Sequence, residues 1–339
     1  MSEYISEKLR EGDRFLTVRE AARRFGVSKL TAHRGMSELA RRRVLEIYPG
    51  AGTFVGPAGG HHNSRVKVVH FITSKAERDT ILLSGGLKGL MEALPEVSVQ
   101  LSIEPKEEIP QYLEELWFGQ DGRSGVSQGA ILSGCSHETR MFFAKNKIPT
   151  VVVGHTEEDV DLPYVDYDQR EMGYKIGSFL LDKGHDRLGL LLRDRWYPGD
   201  TLFLRGVQQA MAERSIAADK LQIHPVAMED SIAARTIKKI LSGPDRPMAL
   251  ICRREAIALA CLEVAGELGL HVPRDLALVS TSPTDLLMQR ANPPITSVFC
   301  DFEKAGRIAG DLLSQRIKGE LDGDSQVELP IRLILREST

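Results

Sequence analysis

The chain has 339 residues, of which 42% are hydrophobic and 27% charged, with a formal net charge of −3. This length predicts two or three domains and a sizeable core, and the composition is that of ordinary globular proteins. No apolar run approaches the roughly 20 residues that span a bilayer, and the polar start MSEYISEKLREGD does not resemble a signal peptide. The cysteines lack CxxC spacing and indicate reduced thiols in a cytoplasmic protein. They are Cys135, Cys252, Cys261 and Cys300.

Residues 17–56 predict two short helices and a hairpin, after a first helix over residues 3–11. Thr17 is a candidate N-cap of a helix that runs to about Phe25 and ends at Gly26. A second helix is predicted over about residues 29–43. Its inward side chains are expected to be Leu30, Met36, Leu39 and Ala40. The segments LEIY and GTFV then alternate like paired strands around a turn that contains Gly50 and Gly52.

This order of elements, a helix-turn-helix followed by a hairpin wing, is typical of DNA-reading modules, whose second helix enters the major groove. Residues 17–43 hold eight Lys or Arg against Glu20 and Glu38, which leaves a local charge of +6. Because the whole chain is negative, its positive charge is concentrated where phosphate binding needs it. The alternative interpretation is a solvated helical face beside a small core.

The segments VRE, GVSKLTAHRGM and GAGTFV carry a more specific signal. Over about residues 3–56 the chain resembles the winged-helix domain of GntR-family regulators. The resemblance implies DNA contacts, and the predicted DNA-binding residues are Arg19, Ser28, Lys29, Thr31, His33, Arg34 and Gly50. His33 replaces an arginine that is usual in the second helix, and Ala51 replaces a basic residue of the wing tip. The family's typical operator sequence is therefore not carried over.

A second domain is predicted after the linker 57–64, whose Gly, Pro and small polar residues mark a boundary. His61 and His62 in this linker lack further ligands nearby, so no metal site is expected. From Arg65 onward, buried strand patterns alternate with helical ones, as in VKVVHFI, VSVQLSI, GAILS, RLGLLL and MALIC. This repetition predicts an α/β fold with parallel sheets and helices on both faces, built as two lobes across a cleft.

The segments VDYDQREMGYKIGSFLLDKGHDRLGLL and PMALICRREAIALACLEVAGELGLHVPRDLALVS, and the closing LREST, are similar to the sensor domain of LacI-family regulators. The resemblance implies a periplasmic-binding-protein-like domain over residues 65–339, whose two lobes are joined by three crossovers. The crossovers are placed near 161–165, 287–293 and 318–325. The predicted lobes are residues 65–162 plus 291–319 and residues 163–288 plus 322–339.

A small-molecule cleft needs apolar walls and a few orienting polar groups. The predicted effector-binding residues are Arg78, Asp79, His155, Trp196, Phe203, Arg254, Glu255, Ser282 and Asp285. Each also has a structural interpretation, such as a surface ion pair, a loop anchor or a solvated helix start. Compared with LacI-type sugar sensors, Phe203 replaces an Arg, and Arg254 with Glu255 replaces an Asn-Asp pair. Phe203 and Trp196 are therefore predicted to form an aromatic wall for a sugar or another ring-shaped ligand.

Catalysis is not predicted, because GGLKG lacks GxGxxG spacing and the chain contains no GxxxxGK(S/T), HExxH or GxSxG. No cofactor is expected either. The predicted function is a cytoplasmic, homodimeric, sequence-specific transcriptional regulator, a repressor, that binds operator DNA under the control of a small-molecule effector, a carbohydrate by default. The alternative is a cytoplasmic small-molecule-binding protein whose basic N-terminal module has no regulatory role.

Overall fold

The computed structural model describes residues 1, 4–5, 8–9, 12–41, 44–48, 52–56, 68–118, 128–227, 230–282, 285–321 and 325–339. The predicted linker 57–64, with its two histidines, lies outside the described residues. The chain divides into two compact units, residues 1–68 with 117–128 and residues 69–116 with 129–339. The second unit thus begins close to the predicted boundary, but the sequence did not predict that residues 117–128 belong to the first.

The first unit contains helices α1 (Val18–Arg24) and α2 (Lys29–Arg41) and strands β1 (Leu45–Tyr48) and β2 (Gly52–Val55). The two strands are antiparallel, with Leu45 opposite Val55. These elements confirm the predicted order of two helices and a hairpin. Residues 12–15 add a further edge that was not predicted, since the Phe15 amide donates to the Thr53 carbonyl at 2.7 Å.

Local sequence explains the limits of α1. The Thr17 hydroxyl accepts from the Glu20 amide at 3.3 Å, and the Glu20 carboxylate accepts from the Thr17 amide at 2.8 Å, which is a capping box. Gly26 follows the helix at φ +64°, a conformation that favours glycine.

One predicted core residue of α2 is wrong: Leu30 is 62% exposed. Ala32 and Met36 define the buried face, and Leu30 lies about 200° around the helix from Ala32, so it points away from the core. Leu39 and Ala40 are half-buried. The small core joins both helices to the hairpin and comprises Ile5, Phe15, Ala21, Ala22, Ala32, Met36, Leu45 and Val55.

The remaining strands and helices alternate along the chain. They are β3 (Val68–Ser74), α3 (Arg78–Leu83), α4 (Gly86–Ala93), β4 (Ser98–Glu104), α5 (Ile109–Phe118), β5 (Gln128–Ser133), α6 (His137–Lys145), β6 (Thr150–Val153), β7 (Tyr164–Tyr167), α7 (Gln169–Asp182), β8 (Leu188–Arg193), α8 (Pro198–Glu213), β9 (Leu221–Val226), α9 (Asp230–Leu241), β10 (Ala249–Cys252), α10 (Glu255–Glu267), β11 (Ala277–Ser282), α11 (Leu286–Arg290), β12 (Thr296–Phe299), α12 (Phe302–Lys318), β13 (Gln326–Leu329) and β14 (Arg332–Ile334).

These strands form two six-stranded sheets, with the orders β13-β7-β6-β5-β3-β4 and β14-β12-β11-β10-β8-β9. Neighbours such as β5 and β6, or β10 and β11, pair in parallel, whereas β14 runs antiparallel to β12. We call the part built on the first sheet the first lobe and the part built on the second sheet the second lobe. The predicted α/β fold with two parallel-sheet lobes is confirmed.

The predicted lobe boundaries are wrong by several residues. Strand β7 pairs in the first sheet, β12 in the second and β13 in the first. The chain therefore crosses between lobes near residues 168, 300–301 and 330–331, later than each predicted crossover. Strands of four residues carry too little periodicity to reveal which sheet they join, so only the pairing decides.

Candidate functional site

A cavity of about 440 Å³ lies between the two lobes of the second unit. Loops that follow the carboxyl ends of parallel strands line it, which is where open α/β sheets bind ligands. Its polar wall from the first lobe includes Glu77, Thr80, Arg140, His155, Asp166 and Tyr167. Its polar wall from the second lobe and the first crossover includes Gln169, Arg193, Tyr197, Asp200, Arg253, Arg254, Glu255 and Ser282.

Four of the nine predicted effector residues line this cavity: His155, Arg254, Glu255 and Ser282. Arg78 is an exposed residue at the start of α3, and the side chain of Asp79 lies outside the described residues. Trp196 is 41% exposed, and its neighbour Tyr197 lines the cavity instead.

Asp285 does not line the cavity, and its side chain has partners elsewhere. Its carboxylate accepts from both Arg336 Nη2 at 2.7 Å and Ser297 Oγ at 2.9 Å. These bonds tie the loop after β11 to the last residues of the chain.

The predicted aromatic wall is wrong. Phe203 is fully buried in α8, and the carbon of the Arg253 guanidinium lies 4.2 Å from its ring centroid. The helix turns this face toward α7, where the Phe203 backbone meets Gly173. The Phe203 ring thus makes a cation–π contact with Arg253, whose side chain lines the cavity.

An ionic cluster that the sequence did not predict forms one side of the cavity. Arg193 Nη1 lies 2.5 Å from Glu77 Oε1, and Arg193 Nη2 lies 3.3 Å from Asp200 Oδ2. Arg253 Nη2 donates to Asp200 Oδ1 at 3.0 Å, and Arg254 pairs with Glu77. These five side chains are 20% exposed or less, so buried charges of opposite sign compensate one another here.

The pKa shifts agree with full ionisation of this cluster. Burial alone would raise the pKa of Glu77, but the Arg193 and Arg254 guanidiniums outweigh it and hold that pKa below its ordinary value. Burial likewise opposes the charge of Asp200, yet Arg253 and Arg193 lower its pKa. The pKa of Arg193 is raised by Glu77 and Asp200 against the effect of burial.

The wall of the first lobe is a hydrogen-bonded chain around His155. Its Nδ1 lies 3.0 Å from Asp166 Oδ2 and its Nε2 lies 3.1 Å from the Tyr164 hydroxyl. Asp166 also accepts from Gln169 Nε2 at 2.9 Å. These bonds hold the imidazole ring in one orientation at the cavity wall.

Two buried polar atoms at the cavity have no hydrogen-bond partner among the described residues, the Tyr167 hydroxyl and Arg254 Nε. Burial raises the pKa of Tyr167, so its hydroxyl stays protonated and able to donate. Unsatisfied buried donors are costly, and a ligand in the cavity could satisfy them.

Sequence position could have revealed part of the missed cluster. Arg193 ends the buried strand β8, and Arg253 directly follows β10. Both positions lie at the carboxyl edge of a parallel sheet, where cleft residues are expected. Glu77 carried no comparable signal, because it lies in a loop whose course the sequence does not fix.

The predicted DNA-binding side chains in the described part of the first unit are exposed. They are Arg19 on α1, Ser28 before α2, and Lys29, Thr31, His33 and Arg34 on α2. Ser28 also has a local role, since its hydroxyl accepts from the Thr31 amide at 3.1 Å. Gly50 lies outside the described residues.

Within the described ranges, no helix is long and apolar enough to cross a membrane. Nor do the described His, Cys, Asp and Glu side chains form a group of three or more that could hold a metal ion.

Comparison with known proteins relates the second unit to periplasmic binding protein-like domains. The family model of the periplasmic binding protein-like domain matches residues 177–339. The HTH-type transcriptional repressor CytR of Escherichia coli (strain K12) is 27% identical over 195 residues, which are 58% of this chain and 57% of CytR. The HTH-type transcriptional repressor PurR of Shigella dysenteriae serotype 1 (strain Sd197) is 29% identical over 192 residues, 56% of each chain. The chain thus spans little more than half the length of these curated relatives.

The fold comparison covers more of the chain. A solved transcriptional regulator CelR-cellobiose complex superposes with a TM-score of 0.70 at 20% identity, and the match covers 96% of this chain and 100% of that one. The match to the periplasmic binding protein-like domain thus covers residues 177–339, and the two-lobed α/β fold is similar to that of solved LacI-type transcriptional regulators.

Proposed function

We propose that this protein is a sequence-specific DNA-binding transcriptional repressor whose operator occupancy depends on a small molecule in the cleft of the second unit. One observation carries the proposal: a single chain combines a helix-turn-helix that bears an exposed basic second helix with a two-lobed domain that holds a cavity lined by apolar and charged side chains. The names of the relatives CytR and PurR, both HTH-type transcriptional repressors, support it.

We further propose that the DNA-binding module is a GntR-type winged helix. The family model begins at residue 177 and does not bear on this module. Support comes from the motifs GVSKLTAHRGM and GAGTFV and from the antiparallel hairpin β1-β2 directly after α2. Such a module has a small contact area, and two linked copies bind more tightly than one. The protein acts in this proposal as a cytoplasmic homodimer on a roughly palindromic site.

The mechanism is thermodynamic linkage. A ligand that binds one arrangement of the lobes more tightly than another shifts the population toward that arrangement. A coupling free energy of about 1–3 kcal/mol between the cleft and the DNA-binding heads suffices for a regulatory change in affinity. Among the predicted effector residues, we assign ligand contact to His155, Arg254, Glu255 and Ser282, because all four line the cavity.

The test is selection of duplexes from a random pool by the purified full-length protein. We expect one enriched, roughly palindromic sequence, bound with an affinity that falls steeply as salt rises. Alanine replacement of Lys29, His33 and Arg34 together should remove that preference. A matched variant removes three exposed cations of the second unit, Arg205, Lys239 and Lys304, and should bind like the wild type.

The same experiment separates the alternative function. A small-molecule-binding protein with a non-regulatory basic module would enrich no sequence and would bind every duplex equally. Full operator affinity in the Lys29/His33/Arg34 variant would show that α2 is not the reading helix.

A further inference from the structure

The carboxylate of Glu77 occupies a position in the cleft that a ligand would be expected to take. Glu77 precedes α3 in the first lobe and is 7% exposed. Its Oε1 atom accepts from Arg193 at 2.5 Å and also pairs with Arg254, and both arginines belong to the second lobe. One carboxylate held by two guanidiniums is the arrangement with which proteins recognise acids.

This carboxylate also bridges the lobes as a ligand does. Two weaker contacts cross at the same place: Arg254 Nη1 donates to Thr80 Oγ1 at 2.9 Å, and the Tyr197 hydroxyl donates to the Gly134 carbonyl at 3.0 Å. Ligands of two-lobed proteins close the cleft by contacting both sides. In this structure Glu77 of the first lobe makes the charged contacts with the second lobe.

The charges around Glu77 require one anion at its position, because two guanidiniums would otherwise lose the carboxylate that they share. Three guanidiniums of the cluster face two carboxylates, which leaves one positive charge in excess. The other charged groups of the cavity have partners outside the cluster. Arg140 pairs with Glu157 at 2.8 Å and Asp166 with His155 at 3.0 Å. The Glu255 carboxylate bonds to the neutral Ser282 and adds one negative charge to the cavity wall, so the cluster needs no anion beyond the one at the Glu77 position.

Two further observations indicate what the rest of such a ligand would contact. Arg254 Nε is buried beside the Glu77 carboxylate without a partner in the described structure, and so is the Tyr167 hydroxyl across the cavity. An acid that also carries a hydroxyl or carbonyl oxygen could satisfy both donors. The volume of about 440 Å³ lies in the range of small-molecule sites.

We propose that the cleft is a carboxylate-binding site and that the effector is a small organic acid whose carboxylate replaces that of Glu77 between Arg193 and Arg254. This inference rests on the proposed function only in calling the ligand an effector. Glu77 can leave its place, because it precedes a helix and its neighbours Lys75, Ala76 and Arg78 are exposed. The displaced carboxylate then regains its hydration in solvent.

The experiment is chemical rescue of Glu77→Ala in the full-length protein. We expect a melting temperature below that of the wild type, because two buried guanidiniums lose their shared partner. Sodium acetate should raise this melting temperature by several degrees more than sodium chloride of equal ionic strength, by mass action on the folded state. The wild type, whose site is filled by Glu77, should respond equally to both salts.

Two variants show where acetate binds. Adding Arg254→Gln to Glu77→Ala should abolish the excess effect of acetate. Glu92→Ala also removes a carboxylate paired with an arginine, Arg307 at 2.6 Å, but both side chains are more than 40% exposed, so acetate and chloride should act alike.

Equal effects of acetate and chloride on Glu77→Ala would overturn the proposal. A stronger effect of inorganic phosphate than of acetate would replace the carboxylate with a phosphoryl group as the ligand's anion. If Glu77→Ala does not fold at once, refolding yields in acetate and chloride make the same comparison, and equal yields would refute the site. Rescue by acetate without any enriched DNA would keep the carboxylate site and remove only the repressor assignment.

Discussion

Leu30 is an exposed apolar side chain within the basic surface of α2. It is 62% exposed and lies between Lys29 and Thr31, at the end of the helix that would enter the major groove. The thymine methyl group is the apolar feature that the major groove offers. We therefore predict that Leu30 contacts a thymine methyl group of each half-site and that Leu30→Ala lowers discrimination there by about 0.8 kcal/mol, the burial free energy of one such group.

The measurement is competition binding with operators in which single thymines are replaced by uracil, which lacks the methyl group. The wild type should lose affinity at one thymine per half-site, whereas Leu30→Ala should bind both duplexes equally. The variant should keep its stability, since little surface of Leu30 is buried. Equal losses for both proteins would contradict the contact.

Single residues also show where sequence reasoning stops. Arg254 and Glu255 were predicted in the cleft because they follow a buried strand, a position fixed by the parallel sheet. Phe203 lies in a helix, where its direction depends on how α8 packs, and that packing turned it into the core. Glu77 reaches the cleft only because the loop after β3 brings it to arginines more than a hundred residues away.

Helix pairs in both lobes approach through glycines. A Cβ atom on Gly173 would lie 2.0 Å from the Phe203 carbonyl oxygen, and one on Gly206 would lie 2.0 Å from that of Arg170, so α7 and α8 meet backbone to backbone. In the first lobe, Gly89 and Gly306 play the same part between α4 and α12, at 1.9 and 2.0 Å. Neither pair has room for a methyl group.

We predict that Gly206→Ala lowers the free energy of unfolding by about 1–3 kcal/mol or more, because the helices must separate. Gly266→Ala is the matched control, since Gly266 also lies in a helix but has no atom within 4 Å of the added Cβ. That control should be neutral or gain up to about 1 kcal/mol from helix propensity. Denaturant unfolding measures both, and equal stability of the two variants would contradict the packing argument.

The elements themselves were largely predictable. The sequence predicts the strands LEIY, GTFV and LQIHPV and a helix over residues 230–241. These are the bounds of β1, β2, β9 and α9, because the segments are strongly patterned. The sequence also predicts one helix over about residues 80–94, but the structure has two helices, α3 and α4, separated at Gly85, whose φ is +82°. Glycine permits that break but does not require it, so composition alone could not place it.

At the scale of the whole molecule, ion pairs in the cleft join the two lobes and so contribute to the free energy of their arrangement. Arg193 and Arg254 of the second lobe hold one carboxylate of the first lobe, Glu77, while Asp200 pairs with Arg193 and Arg253. Any ligand that changes the Glu77 contact changes the free energy of lobe closure. In the proposed mechanism that free energy is what the cleft communicates to the DNA-binding heads.

The same contacts predict a pH dependence of stability. The pKa of Glu77 is lowered in the folded protein from an ordinary value of about 4.5, against the effect of burial, by Arg193 and Arg254. Because the pKa of Glu77 is lower in the folded state, the unfolded state takes up this proton at a higher pH than the folded state does. The stabilisation is therefore complete above about pH 5 and is lost as pH falls through 4.5 toward the folded pKa. Asp200, whose pKa is lowered by Arg253 and Arg193, acts in the same direction.

We expect the melting temperature of the wild type to fall more steeply below pH 5 than that of Glu77→Gln, which cannot ionise at this position. Other carboxylates titrate in both proteins, so the difference between the two curves isolates Glu77. That difference should be constant from pH 6 to 8 and should shrink as the pH falls below 5. Because Glu77 joins the lobes, small-angle scattering of the wild type should show an opening of the second unit in the same interval. Parallel melting curves down to pH 3 would mean that the Glu77 carboxylate contributes nothing through its charge, and that the lobes are held together by the remaining contacts alone.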